Sequence, residues 1–228
     1  MIILNIETST NVCSVALSKD TTCLFSKSNA EGMNHAALLS VFIAEALEVL
    51  KSSGNKLDAV AVSSGPGSYT GLRIGVSTAK GLCYGYGIPL IAVSTLEVLT
   101  VQALNLVEDK GNALFCPMID ARRMEVYAAF YIADGIMQRE ISADIIDAES
   151  YAGILAAQPV YFFGNGSGKL KTTLTHPNAR FIDELVPLAI NMIPFAERAF
   201  TEKQFVDTAY FEPFYLKEFQ TTAPKIPS

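Results

Sequence analysis

The sequence predicts an α/β protein built as two similar lobes in tandem. Three observations carry the prediction: each half of the 228 residues opens on a strand–turn–strand pattern, each continues with helical and strand-like runs, and the polar stretch "EDKGN" at 108–112 separates them. The lobes are therefore expected at 1–107 and 108–228.

In the first half, "IILNIET", "VCSVALS" and "TTCLFSKS" read as strands, with turns at 9–11 and 19–21, and so form an antiparallel meander. A helix over 33–51, a strand over 57–63, a glycine-rich turn and a helix over 70–85 follow. The strand "PLIAVS" comes next, and Ser94 or Thr95 can cap a third helix reaching about 107. Antiparallel strands followed by alternating helices and strands give a mixed sheet. The second half repeats the theme with "ALFCPMID", the turn "ARRME", "VYAAFYIA" and a turn at Asp134-Gly135. A shorter strand, a helix over 148–157, the strand "VYFFG" and further helical segments complete it. The tail "TTAPKIPS" is polar, carries two prolines and is expected to be loose.

Composition narrows the function. Half of the chain is hydrophobic and 18% is charged, enough to bury a real core. A net charge of −6 without a basic stripe makes direct, stand-alone nucleic-acid binding a poor expectation, because phosphate neutralisation supplies most of that affinity. Cys13, Cys23, Cys83 and Cys116 form no CxxC pair and lie in apolar settings, as buried free thiols do. "MIILNI" is too short for a signal segment, and no apolar run reaches the ~18 residues of a membrane span. A cytoplasmic protein is expected.

The stretch "SSGPGSYTGLRIG" at 63–75 stands between a strand and a helix, where phosphate is often held. It departs from the known loops. Counted from Gly65, a P-loop would need glycine and lysine where Thr70 and Gly71 stand, and GxGxxG fails by one residue. A nucleophile elbow fails at Pro66. Gly65 and Gly67 instead suit a tight turn with special backbone angles. In the following helix Gly71, Gly75, Thr78 and Ala79 recur at three- and four-residue spacing, with Leu72 beside them. Interior glycines cost about 1 kcal/mol each, so another backbone is expected to approach closely. The helix of 33–51 carries the core stripe Leu39, Phe42, Ile43, Ala46, Leu50 and a second apolar face of Ala36, Ala37, Val41 and Ala44. Together these features predict a subunit interface through Ala37, Val41, Ala44, Gly71, Leu72, Gly75 and Ala79.

Catalytic groups are scarce. His35 and His176 fall in different halves, so no HxxxH or HExxH metal pair exists. Glu7 and Asp120 each end the first strand of a half. In two-lobed α/β phosphotransferases such carboxylates face each other across a cleft and hold magnesium with the nucleotide. Here "ETSTN" (Glu7, Thr8, Ser9, Thr10, Asn11) keeps hydroxyls for half a phosphate site. The second turn, Ala121-Arg122-Arg123-Met124, has no glycine to admit phosphate to the backbone. A degenerate cleft of Glu7, Thr8, Ser9, Thr10, Asp120 and Arg122 is expected, narrow and bridged by arginine–carboxylate contacts, with no metal and no cofactor. "GNGSGK" at 164–169 reads as a plain loop.

In order, "ILNIETSTNVCSVAL", "GPGSYTGLRIGVSTAKGL" and "IDARRMEVYAAFY" resemble the TsaB (YeaZ-type) family of the bacterial tRNA threonylcarbamoyladenosine machinery. His35 with Leu38-Leu39 and the late "FEPFYLK" extend the resemblance over nearly the whole chain. It implies an actin-like (ASKHA, RNase H-like) fold in two lobes, each a mixed sheet with helices. It also implies a non-catalytic scaffold, not an enzyme on its own. The partners implied are TsaD, which transfers threonylcarbamoyl to adenosine 37 of tRNAs reading ANN codons, and the ATPase TsaE. A homodimer stands in when the partner is absent, and tRNA is met only through the complex. The alternative reading from the residues is a nucleotide-using small-molecule kinase or ATPase of the actin-like class.

Overall fold

The computed structural model describes residues 1–31 and 34–216. Met33, expected in the first helix, and the tail "TTAPKIPS" lie outside the described residues. The first half folds as β1 (Ile2–Glu7), β2 (Cys13–Lys19), β3 (Thr22–Asn29), α1 (His35–Ser52), β4 (Ala59–Gly65), α2 (Tyr69–Tyr86), β5 (Leu90–Ser94) and α3 (Thr95–Leu106). The second gives β6 (Leu114–Asp120), β7 (Glu125–Tyr131), β8 (Met137–Ile145), α4 (Ala152–Ala157), β9 (Val160–Phe163), β10 (Ala179–Ile182) and α5 (Ile193–Thr201). Single 3-10 turns sit at Gly168–Leu170 and Ala189–Met192.

The two sheets repeat one topology. The first runs β3-β2-β1-β4-β5 and the second β8-β7-β6-β9-β10. In each, the first three strands pair antiparallel and the last two join in parallel. Each lobe is thus a mixed sheet with helices, the two-lobed actin-like, RNase H-like α/β fold.

Strand β1 is buried on both sides, and its period of two distributes it between two cores. Ile2, Leu4 and Ile6 face α1 and α2, packing with Leu39, Phe42, Ala46, Val76 and Ala79. Ile3 faces the other way, with Ala59, Ala61 and Ile91 against Val98, Met192 and Ala196. The stripe expected of α1 is buried as the 3.6-residue period requires. In α3, Val98 joins the first sheet's core, while Leu96, Leu99 and Ala103 pack on Phe115, Ile119 and Phe163 of the second. One helix therefore lies between both sheets. Truncating Leu99 to alanine would cost about 2–5 kcal/mol and loosen this joint.

Four expectations are corrected. Residues 189–201, placed with the second lobe by the division at 107/108, pack on the first sheet, and Val206 donates its N–H to Leu90 O at 3.0 Å. β8, expected to be short, is nine residues long. The helix expected over 148–157 spans only Ala152–Ala157, after Tyr151 at φ 62°. Gly67 is demanded by a close approach to Ser9 O and not by its φ, whereas Gly65 does take φ 107°.

Candidate functional site

Strands β1 and β6 end at the same opening. Between the lobes is a cleft of about 1450 Å3, lined on one side by Ser9, Thr10, Asn11 and the 66–71 loop, and on the other by Asp120, Ala121, Arg122 and Arg123. The described segment Phe214, Tyr215 and Leu216 forms a third wall. The cleft is wide, not narrow as expected from the turn sequence.

The glycines of 63–75 seat the first hairpin turn against α2. Ser68 N donates to Ser9 O at 2.6 Å, and Ser68 Oγ caps α2 by accepting from Gly71 N at 3.2 Å. The Thr8 hydroxyl donates to Gly71 O at 2.8 Å. A side chain on Gly67, Gly71 or Gly75 would overlap Ser9 or Thr8. Gly71, Leu72, Gly75 and Ala79 are buried within the chain. The close approach expected of this stripe is internal, so these four residues offer no docking surface. Ala37, Val41 and Ala44 are exposed, Val41 at 48%. They form an open apolar face on α1.

The two expected carboxylates have different fates, and neither faces the cleft as a free ligand. Glu7 is fully buried and does not line the cleft, and nor does Thr8. Glu7 Oε1 accepts from Ser9 N at 2.6 Å, and Oε2 has no partner among the described residues. Burial pushes the Glu7 carboxyl above the usual carboxylate range, with hydrogen bonds from Ser9 pulling the other way. Asp120 lines the cleft, but its Oδ1 is taken by the Lys169 ammonium and by Arg122 N–H at 3.1 Å. Asn165 Oδ1 accepts from Asp120 N at 2.9 Å. The expected arginine–carboxylate bridge is therefore corrected: the cation on Asp120 is Lys169, from the "GNGSGK" loop read as plain. Gly164 and Gly166 of that loop press on Met118 O and on the Ile119–Asp120 peptide, which brings Asn165 and Lys169 to the end of β6.

Arg122 and Arg123 occupy left-handed conformations, φ 69° and 48°. Neither guanidinium has a hydrogen-bond or ion-pair partner among the described residues. His35 is a packed residue at the start of α1, 6% exposed, with Nε2 3.2 Å from Val12 O. Among the described residues no group of three His, Cys, Asp or Glu side chains could hold a metal ion. No helix among them is long and apolar enough to cross a membrane. Sequence reasoning missed Lys169, Asn165 and Tyr215, whose ring lies 4.9 Å from that of Tyr69.

Twin sheets of one topology around a cleft at the ends of their first strands define an actin-like α/β protein. Residues 30–179 match the model of the TsaD family, described as tRNA N6-adenosine threonylcarbamoyltransferase. The chain is 31% identical to the tRNA threonylcarbamoyladenosine biosynthesis protein TsaB of Escherichia coli K12 over 227 residues, 95% of each chain. It is 28% identical to TsaB of Haemophilus influenzae, covering 99% of this chain and 97% of that one. The solved structure of YeaZ from Pseudomonas aeruginosa superposes with a TM-score of 0.77 at 29% identity, covering 94% of this chain and 99% of that one. The chain belongs to the TsaB (YeaZ-type) family, within the wider TsaD-like group.

Proposed function

We propose that this chain takes part in threonylcarbamoyladenosine biosynthesis as a non-catalytic scaffold. It docks on a TsaD-type catalytic paralogue, which a TsaE-type ATPase joins, and the assembly modifies N6 of adenosine 37 in tRNAs reading ANN codons. The observation that carries this reading is the match to E. coli TsaB along 95% of both chains. Two features support the scaffold role: Glu7 is buried away from the cleft, and Asp120 holds the Lys169 ammonium on Oδ1, so the two carboxylates do not face each other as a metal-binding pair. The docking surface in this reading is the exposed α1 face of Ala37, Val41 and Ala44. The same face pairs two copies when the paralogue is absent, and a cytoplasmic location goes with the role.

Reconstitution tests the proposal. The chain is expected to co-purify with the paralogue, and threonylcarbamoyl transfer to tRNA should require both, with no transfer by this chain alone. Transfer at full rate by the paralogue and ATPase without this chain would overturn it.

A further inference from the structure

The cleft carries two guanidinium groups on one wall, beside the carboxylates Asp120 and Glu125, and the buried Glu7 does not reach it. On one wall, Arg122 and Arg123 present guanidinium groups with no partner among the described residues. Facing them are the Thr10 and Asn11 side chains of the β1–β2 turn and the start of the 18-residue helix α2. Tyr215 adds an aromatic wall. A nucleoside triphosphate needs a divalent ion to offset its charge, and here the pair of facing carboxylates is missing, because Glu7 is buried and Asp120 Oδ1 holds Lys169. A phosphodiester carries a single charge, needs no metal, and is matched by one guanidinium. At about 1450 Å3 the cleft exceeds the ~300–1000 Å3 of small-molecule pockets and has room for more than one nucleotide.

From this we propose that the cleft holds a single-stranded segment of the RNA substrate, through Arg122 and Arg123 on successive phosphates and with aromatic wall contacts. The inference rests on the scaffold reading above. Its location favours it: Ala36 and His35 line the cleft at the N-terminal end of α1, and the docking face Ala37-Val41-Ala44 begins one residue further on. A paralogue docked on that face would sit beside the mouth of the cleft. Two arginines in an acidic protein add affinity to an assembly and are too few to bind alone at physiological salt. That reconciles the cleft with the net charge of −6.

The test uses the complex of this chain with the paralogue and unmodified tRNA. Arg122→Asn with Arg123→Asn removes both charges, and asparagine tolerates the left-handed backbone. We expect tRNA affinity to fall roughly tenfold near 100 mM salt. The slope of log affinity against log salt should fall by about 1.4, roughly 0.7 for each single-strand phosphate contact, with assembly on gel filtration unchanged. Unchanged affinity and slope in an intact complex would overturn the inference. So would magnesium-free ATP binding that the double variant abolishes while tRNA binding stays the same, since the cleft would then be a small-molecule site. If the wild-type chain fails to assemble, the scaffold reading fails. The same titration of the chain alone at about 20 mM salt then decides the cleft: loss of tRNA binding in the double variant supports it, and no difference overturns it.

Discussion

Thr8 and Gly75 interlock: the hydroxyl that Thr8 donates to Gly71 O occupies the space a side chain on Gly75 would need. Gly75→Ala gains about 1 kcal/mol of helix propensity. It loses more, about 1–3 kcal/mol from overlap and about 1 from the disturbed hydrogen bond. A net destabilisation of about 1–3 kcal/mol is expected in denaturant melts. Adding Thr8→Ala should recover part of it, because the pair shares one space. Additive losses in the double variant would refute the interlock.

The Lys169–Asp120 pair is half-exposed, its side chains 23% and 46% accessible, so solvent screens it. Lys169→Met is expected to cost about 1 kcal/mol or less, lowering Tm by no more than ~4 °C. A loss several times larger would mean that Lys169 organises the 164–169 loop and not only the ion pair.

Glu7 should make the protein less stable as pH rises. Its folded pKa is raised, so the native state holds the proton more tightly than the unfolded chain. Its contribution is present in full below the unfolded carboxylate range and is lost as pH climbs from there through the folded value. Glu7→Gln keeps an acceptor for Ser9 N–H and carries no charge. It is expected to raise Tm by a few degrees at pH 7 and by little at pH 4. Equal shifts at both values would show that Glu7 is ionised in the fold at no cost.

Thiol reactivity should separate the four cysteines. Burial pushes Cys13 and Cys83 to about 11, and Cys116 well up, while Cys23 on β3 is part-exposed. At pH 8 one thiol is expected to react with a water-soluble maleimide in the native protein, and four in denaturant. Mass spectrometry should locate the native adduct at Cys23. Native labelling at Cys83 would point to opening of α2.

Val41 is 48% exposed on the outer face of α1 and contributes little to the core. Val41→Glu should leave Tm within ~2 °C while weakening assembly with the paralogue at least tenfold in gel filtration or calorimetry. Unaltered assembly would move the docking surface elsewhere.

Short apolar runs bounded by turn residues and helices with clean period 3.6 were legible: β1 and β2 as buried runs, β3 by its alternation and α1 by its core stripe all fall where the pattern puts them. The purpose of the glycine stripe was half legible. Its spacing announces close approach, but whether the approaching group is Thr8 or a partner depends on which face of α2 meets the sheet. Lys169 could not be paired with Asp120 because 49 residues separate them and nothing local records the meeting. The length of β8 was hidden by "MQREISADI", whose polar edge positions weaken the strand signal. Residues 193–201 advertise an amphipathic helix, yet amphipathicity does not say which sheet receives it.

The return of the chain to the first sheet sets an order of events during synthesis. Ile3, Ala59, Ala61 and Ile91 are covered in part by Val98 of α3, and the layer is completed only when Met192 and Ala196 arrive, about a hundred residues after β5. Lys80 then ties down the following segment through Ala209 O and Phe211 O, both at 3.0 Å. A ribosome-bound chain that has exposed only the first half therefore carries an unfinished layer, while the second sheet closes on α3 as soon as it is made. The second sheet is thus inserted between α3 and the segment that completes the first lobe, whose outer layer closes last.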